Sequence, residues 1–160
     1  MALDALPEEA VTLRITVASW REAVLAAGRG LERIGAVDPA YTRRMIDQID
    51  LLGPYIVIAP GLALAHARPG NDVFADGMSV VTLAEPVPFG HKTNDPVSVV
   101  IGIAATKQNG HVGFIAGLAD VLTHPDAVGA LKEARTLGSV NAVLSLGAEP
   151  TPRKIDDRRR

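Results

Sequence analysis

The sequence predicts a single layered α/β domain in which α-helices flank a mixed β-sheet of four or five strands. Helical periodicity dominates both ends of the chain, whereas its middle consists of short apolar runs separated by proline and glycine. One run, VSVVIGIAA from Val97, is apolar on both faces and rich in β-branched residues, which is typical of a central strand covered by helices on both sides. The 160 residues, 48% hydrophobic, suffice for one core. We expect the domain at 1–148 and a charged, disordered tail at 149–160.

Two amphipathic helices are expected first, before any strand. The first begins at a capping box, Ser19 to Glu22, and its apolar stripe runs to Gly35. The second begins at Asp38-Pro39, which supplies an N-cap and a proline for the first helical position, and it ends at Gly53. Its apolar stripe consists of Tyr41, Met45, Ile49 and Leu52.

Apolar runs predict the strands that follow: YIVIA, LALA, MSVVTLA and VSVVIGIAA. Turn residues separate them at Pro60-Gly61, at Pro69-Gly70 and between Pro86 and Asp95. Helical spacing returns after Asn109-Gly110, a further helix is expected to open at Pro125, and SVNAVLSL predicts a last one. The expected order is two helices, several strands and three helices.

Composition excludes several classes of function. Residues 1–148 carry eleven basic and fifteen acidic side chains, a balance that argues against nucleic acid as a partner. The chain has no cysteine, which removes disulfides, thiolate catalysis and cysteine-based metal sites. The N-terminus lacks the basic segment of a secretory signal, and no uncharged run reaches the ~20 residues of a membrane span. We therefore expect a soluble protein without direct membrane insertion.

Histidines are the main candidates for chemistry. No local metal-binding spacing occurs, so no metal is expected, and a zinc site built from residues distant in sequence is the alternative. No P-loop or serine-elbow motif occurs either, so the sequence shows no apparatus for nucleotide hydrolysis or serine acyl transfer. His66 follows a predicted strand and precedes Arg68 by two residues, at the rim of the sheet where ligand sites collect. A hydrogen-bonded structural role is the alternative for such a lone histidine.

His111 lies at the start of a predicted helix, where unpaired backbone N–H groups and the helix dipole favour an anion. Two histidines that converge there could handle a phosphoryl group. A neutral imidazole is a competent nucleophile near neutral pH when its other nitrogen is held by a hydrogen bond. His111, Arg68 or backbone N–H groups could donate to the phosphoryl oxygens, and direct transfer requires neither metal nor cofactor.

Three segments carry a resemblance to a known family: GPYIVIAPGLALAHARPGNDVF, VPFGHKTNDPVSVVIGIAA and NGHVGFIAGLADVL. In this order and spacing, across Trp20 to Ala134, they resemble the mannitol-fructose type (type 2) of phosphotransferase-system (PTS) enzyme IIA, most closely its ascorbate-specific branch. The resemblance implies a mixed sheet flanked by helices and a cytoplasmic phosphocarrier. Such a domain takes a phosphoryl group from phospho-HPr onto a histidine and passes it to a cysteine of a sugar-specific enzyme IIB, with the membrane enzyme IIC as an indirect partner.

The family's phosphorylated histidine falls on His66, and its second active-site histidine falls on His111. Three departures accompany this match. Ala65 stands where the family usually has proline, so a looser backbone is expected there. Glycines around His111 either permit close packing or make this helix mobile. The mannitol branch has an arginine near the end of the second helix and MIDQIDLLG has none, which makes Arg68 a candidate substitute.

The remaining notable residues are expected to have structural or solvent-exposed roles. We expect His91 in an exposed polar loop, Asp95 shaping the turn before the central strand, and His124 at a helix N-terminus capped by Thr123. Three apolar residues belong either to the core or to a docking surface for HPr and enzyme IIB: Phe89, Val112 and Phe114.

Two rival functions stay open. A regulatory, nitrogen-type enzyme IIA would share the histidine chemistry, and a non-catalytic binding module would keep only the fold. The resemblance does not name the sugar, since specificity in such systems resides mainly in the membrane component.

Overall fold

A five-stranded mixed sheet lies at the centre of the molecule, with helices on both faces. The computed structural model describes residues 4–148, apart from the side chains at 111, 147 and 148. The predicted tail at 149–160 lies outside the described residues. The strands are β1 (Val11–Ile15), β2 (Val57–Ala59), β3 (Leu62–Ala65), β4 (Gly77–Val87) and β5 (Val97–Ala104). The helices are α1 (Trp20–Arg33), α2 (Pro39–Leu52), α3 (Gly110–Leu122), α4 (Ala127–Glu133) and α5 (Leu137–Leu144).

The sheet order is β1-β4-β5-β3-β2, which confirms the predicted fold class. β1 is parallel to β4 and β3 is parallel to β5, whereas β4 with β5 and β2 with β3 are antiparallel. Alternate strand residues pack against α1 and α2 on one face and against α3, α4 and α5 on the other. β5 is buried along its whole length in the middle of the sheet, as its sequence predicts.

The expectation that two helices precede any strand is wrong, because β1 comes before α1. This short strand lies at the edge of the sheet, and its residues are half-buried or exposed. Its register with β4 shifts between Thr12 and Ile15, where Arg14 has a φ of 54°. A short, irregular edge strand lacks the apolar run that reveals an interior strand.

The capping signals of α1 and α2 are confirmed. The Ser19 side chain accepts a hydrogen bond from the Glu22 amide, and the Glu22 carboxylate accepts one from Ala18 N at 2.7 Å. Asp38 caps α2 by accepting from Ala40 N at 2.8 Å, and Gly53 ends this helix with a φ of 83°. Both helices therefore begin and end where the sequence predicts.

The C-terminal helices match the prediction except between α3 and α4. Helix α4 begins at Ala127, not at Pro125, and Asp126 occupies its N-cap position. The expectation that Thr123 caps this helix is wrong, because Thr123 ends α3 and its hydroxyl donates to Asp120 O. Across residues 4–148, no helix is long and apolar enough to cross a membrane.

Candidate functional site

His66 is the first residue after β3, at the edge where β3 and β5 end together. Ala65 is buried in register with Gly102, so the parallel pair carries the chain directly to the histidine. The half-buried His66 ring places Nδ1 2.8 Å from Leu64 O. A carbonyl oxygen only accepts, so this bond puts the proton of a neutral ring on Nδ1 and leaves the lone pair on Nε2. Tyr55 packs edge-on against the ring at 6.0 Å between centroids.

An open cleft of about 440 Å³ surrounds His66. The described residues that line it are Gln48, Leu52, Tyr55, His66, Arg68, Pro69 and Gln108. Polar side chains from α2, from the segment after β3 and from the loop before α3 therefore line one cleft together with the imidazole. Amide, hydroxyl and guanidinium groups are donors suited to an oxyanion.

The structure brings His66 and Arg68 into the same cleft, as the sequence predicts for a shared site. His111 is the second residue of α3, three positions after Gln108, which lines this cleft. The His111 side chain is outside what the structure describes. Its role in the site stays a prediction.

Helix α2 contributes more to this region than the sequence predicts. Gln48 from its third turn lines the cleft and accepts a hydrogen bond from the Tyr55 hydroxyl at 3.1 Å. The prediction treats Tyr41 only as part of an apolar stripe. Gln48 lies seven residues after Tyr41, and this spacing places both residues on one face of the helix. The spacing is the signal that could have revealed Gln48 as a site residue.

Tyr41 is fully buried and joins the ends of two strands. Its hydroxyl donates to Ile103 O at 2.6 Å and accepts from Ala67 N, the amide next to His66, at 3.0 Å. Burial raises the pKa of Tyr41 to about 12, although its hydrogen bond with the Ala67 backbone acts in the opposite direction. The phenol therefore stays protonated over the whole physiological range.

Arg44 binds the same segment one turn further along α2. Its Nε and Nη2 atoms donate to the two Asp72 carboxylate oxygens at 2.7 and 2.6 Å, and Nη2 also donates to Arg68 O at 2.8 Å. The hydrogen bond with Asp72 raises the pKa of Arg44, and the same bond lowers the pKa of Asp72. Both groups are charged near neutral pH.

Of the histidines whose side chains the structure describes, His91 and His124 do not line the His66 cleft. His91 is half-buried, which corrects the expected exposure, and its Nδ1 accepts from Asn94 N at 3.0 Å. Asp95 shapes that loop as predicted, because its carboxylate accepts the amides of residues 89–91. His124 lines a separate cleft beside α4, and within the described chain its buried Nδ1 has no hydrogen-bond partner.

The three apolar residues that the sequence assigns either to the core or to a docking surface differ in their burial. Phe89 is buried in the core and packs near Trp20. Phe114 is half-buried against the second core cluster, whereas Val112 on α3 is 64% exposed. Among the side chains that the structure describes, which do not include that of His111, no three histidine or acidic groups lie close enough together to hold a metal ion.

Fold and site together define a class of protein: an α/β domain that presents one oriented histidine at a strand end, in an open cleft lined by hydrogen-bond donors. Comparison with known proteins gives this class a family. The family model described as "Phosphoenolpyruvate-dependent sugar phosphotransferase system, EIIA 2" matches residues 4–146, and the chain belongs to this family. Enzyme IIA components are phosphotransferases, so the chain has the role of a phosphocarrier in a sugar phosphotransferase system.

Individual relatives agree with this assignment. The ascorbate-specific PTS EIIA component of Escherichia coli (strain K12) is 40% identical over 109 residues, 68% of this chain and 71% of the relative. A crystal structure described as a PTS IIA, PtxA, from Streptococcus mutans superposes with a TM-score of 0.83 at 32% identity, covering 92% of this chain and 95% of that one.

A third relative comes from a structure of a complex. The mannitol enzyme IIA of Escherichia coli, solved with its phosphorylated enzyme IIB, has a TM-score of 0.77 at 27% identity and covers 87% of this chain and 96% of that one. The resemblance found in the sequence to the type 2 enzyme IIA family and its ascorbate-specific branch is confirmed.

Proposed function

We propose that this enzyme IIA accepts a phosphoryl group from phospho-HPr on Nε2 of His66 and passes it to a cysteine of a sugar-specific enzyme IIB. The observation that carries the proposal is the Nδ1 contact of His66 with Leu64 O at 2.8 Å, inside a cleft lined by donors. This contact selects the tautomer whose Nε2 lone pair can attack phosphorus. The predicted cytoplasmic location follows from these partners.

Each transfer exchanges one bond for another at phosphorus. Nε2 of His66 forms a P–N bond as the P–N bond to the HPr imidazole breaks, and the HPr ring leaves with the electron pair. The second step forms a P–S bond to the enzyme IIB thiolate as the His66 P–N bond breaks. During both steps Leu64 O supports the positive charge that phosphorylation places on the Nδ1–H ring.

The cleft supplies donors for the phosphoryl oxygens. Arg68 offers a planar guanidinium, which suits a phosphoryl group better than a point charge does, and Gln108 brings an amide from the loop before α3. His111, at the start of α3, is assigned to phosphoryl stabilisation, where the N-terminal end of the helix also favours negative charge.

Partner docking uses the apolar rim of the same cleft. Leu52 and Tyr55 line the cleft and are 65% and 41% exposed. Large exposed side chains of this kind are common at the centre of protein interfaces. Since donor and acceptor both have to reach His66, HPr and enzyme IIB are assigned overlapping surfaces and bind in turn.

The test is labelling from radioactive phosphoenolpyruvate with enzyme I and HPr. Wild type should take up label, His66→Ala should take up none, and His111→Ala and Arg68→Ala should accept label slowly. His124→Ala is the matched control, because it removes a histidine outside the cleft and should label like wild type. No label on wild type, or undiminished label on His66→Ala, would overturn the proposal.

The acceptor step separates transport from the regulatory alternative. Labelled protein mixed with a purified sugar-specific enzyme IIB should lose its label to the IIB cysteine. Retention of label with every enzyme IIB tried, including an ascorbate-specific one, would contradict the transport role.

A further inference from the structure

We propose that Tyr41 and Arg44 form a clamp on α2 that positions His66 for phosphoryl transfer. The inference rests on the function proposed above and extends it to two residues that do not line the His66 cleft. Both are positioning residues: they contact the backbone around the histidine, not the reacting atoms.

The clamp is needed because regular structure stops at the histidine. β3 ends at Ala65, and residues 66–76 contain neither helix nor strand, apart from an isolated bridge between Val73 and Val37. The sheet therefore fixes the backbone of His66 on one side only. Its orientation also depends on whatever holds the residues that follow.

Tyr41 holds the first of these residues. Its hydroxyl bridges Ala67 N and Ile103 O, so it connects the segment leaving β3 to the neighbouring strand β5 just beyond the last paired residues. The side chain is fully buried, and no solvent reaches it to take over these bonds. A phenylalanine in its place would leave a buried N–H without its partner.

Arg44 holds the next part of the segment. Its guanidinium binds Arg68 O and both Asp72 oxygens, and it lies 5.3 Å from the centroid of the Tyr41 ring. The chain passes so close that a Cβ at Gly70 would lie 2.9 Å from Arg44 Nη2. The two clamp residues thus fix the segment on both sides of Arg68, which itself lines the cleft.

Two pairs of variants test the clamp. Tyr41→Phe and Thr42→Val each delete one buried hydroxyl from adjacent positions of α2, but the Thr42 hydroxyl donates to Glu32 on α1. Arg44→Gln and Arg43→Gln each remove one arginine from the same helix, and Arg43 is exposed. The controls match the clamp variants in chemistry and location.

We expect the clamp variants to change the rate of phosphoryl acceptance without changing its final stoichiometry. Tyr41→Phe and Arg44→Gln should accept the phosphoryl group from phospho-HPr about tenfold more slowly, because a small displacement of the nucleophile is costly. They should still reach the wild-type final stoichiometry. Thr42→Val and Arg43→Gln should keep the wild-type rate, even if thermal unfolding shows a similar loss of stability.

A second readout reports on the histidine itself. In wild type, the ring-nitrogen chemical shifts of His66, measured by NMR on histidine-labelled protein, should show one Nδ1-protonated tautomer. The clamp variants should show a mixture of tautomers, and the control variants should not. A rate and a tautomer like those of the paired control, in both clamp variants, would overturn the inference.

The outcomes also separate this inference from the function on which it rests. If wild type takes up no label on His66, the proposed function fails, while the NMR comparison still decides whether the clamp orients the ring. If wild type is labelled and both clamp variants behave like their controls, only the clamp fails. Should Tyr41→Phe not fold, the arginine pair carries the test alone.

Discussion

Gly102 in the central strand is the position where a single added methyl group should have a calculable effect. It lies opposite Ala65 of β3 and opposite Ser79 of β4. A Cβ at this position would lie 2.5 Å from Ser79 Oγ and 3.3 Å from Ala27 Cβ. Ser79 is fully buried and donates to Ala27 O at 2.7 Å, so Gly102→Ala forces this hydroxyl away from its partner.

The magnitude follows from these contacts. Overpacking a well-filled core costs about 1–3 kcal/mol, and losing one buried hydrogen bond costs about 1 kcal/mol more. Gly102→Ala should therefore lower the free energy of unfolding by about 2–4 kcal/mol. Ser79→Ala alone should lower it by about 1 kcal/mol.

The double variant gives the sharper expectation. Once Ser79→Ala removes the oxygen at 2.5 Å, the nearest atoms to the new methyl group are those of Ala27 at 3.3 Å. The two substitutions together should therefore cost less than the sum of their separate costs, by about 1–2 kcal/mol.

Urea unfolding followed by the fluorescence of Trp20, the single tryptophan, measures all four proteins under one condition. Two results would refute the reasoning. One is strict additivity of the two substitutions, and the other is a Gly102→Ala variant as stable as wild type.

Two further predictions concern the site region. Because Arg44 lowers the pKa of Asp72, the ionised carboxylate stabilises the folded state at neutral pH, and this contribution is lost as pH falls below about 4 through the lowered folded-state pKa. Asp72→Asn should therefore reduce the acid dependence of stability in urea titrations at several pH values, whereas the exposed Asp47→Asn should not. Leu52→Gln should raise the KM for phospho-HPr without lowering the melting temperature, because Leu52 lies at the apolar rim of the His66 cleft. Leu25→Gln on α1 is the control, and an equal KM for the two variants would argue against docking at this rim.

Local signals were enough to predict most of the elements. The caps at Ser19 and Asp38 and the glycines after both helices act within a few residues, so their effect can be read from the sequence. The β-branched run of β5 reflects burial on both faces, and this signal lies within the run itself. The same logic places His66 at the end of a strand.

Features that depend on distant partners could not be predicted in the same way. β1 forms by pairing with β4, more than sixty residues later in the chain. Its own residues are too few and too exposed for the sequence pattern to predict a strand. Tyr41 looks like any apolar stripe residue, because nothing near it in sequence shows that its hydroxyl will meet Ala67 and Ile103. Long-range hydrogen bonds produce no periodic pattern in the sequence.

At Ala65, the local sequence and long-range contacts both bear on the position of His66. The resemblance found in the sequence places a proline at this position, and its ring would restrict the backbone just before the histidine; here Ala65 is instead buried as a paired residue of β3. Leu64 N donates to Ile56 O, one residue before β2, and successive amides of a strand point in opposite directions, so the Ala65 amide faces β5. Strand pairing before His66 and the α2 clamp after it thus supply constraints that the alanine does not. The orientation of His66 in this chain accordingly depends on contacts from β5 and α2, and substitutions there should affect phosphoryl transfer more than the local sequence around the histidine suggests.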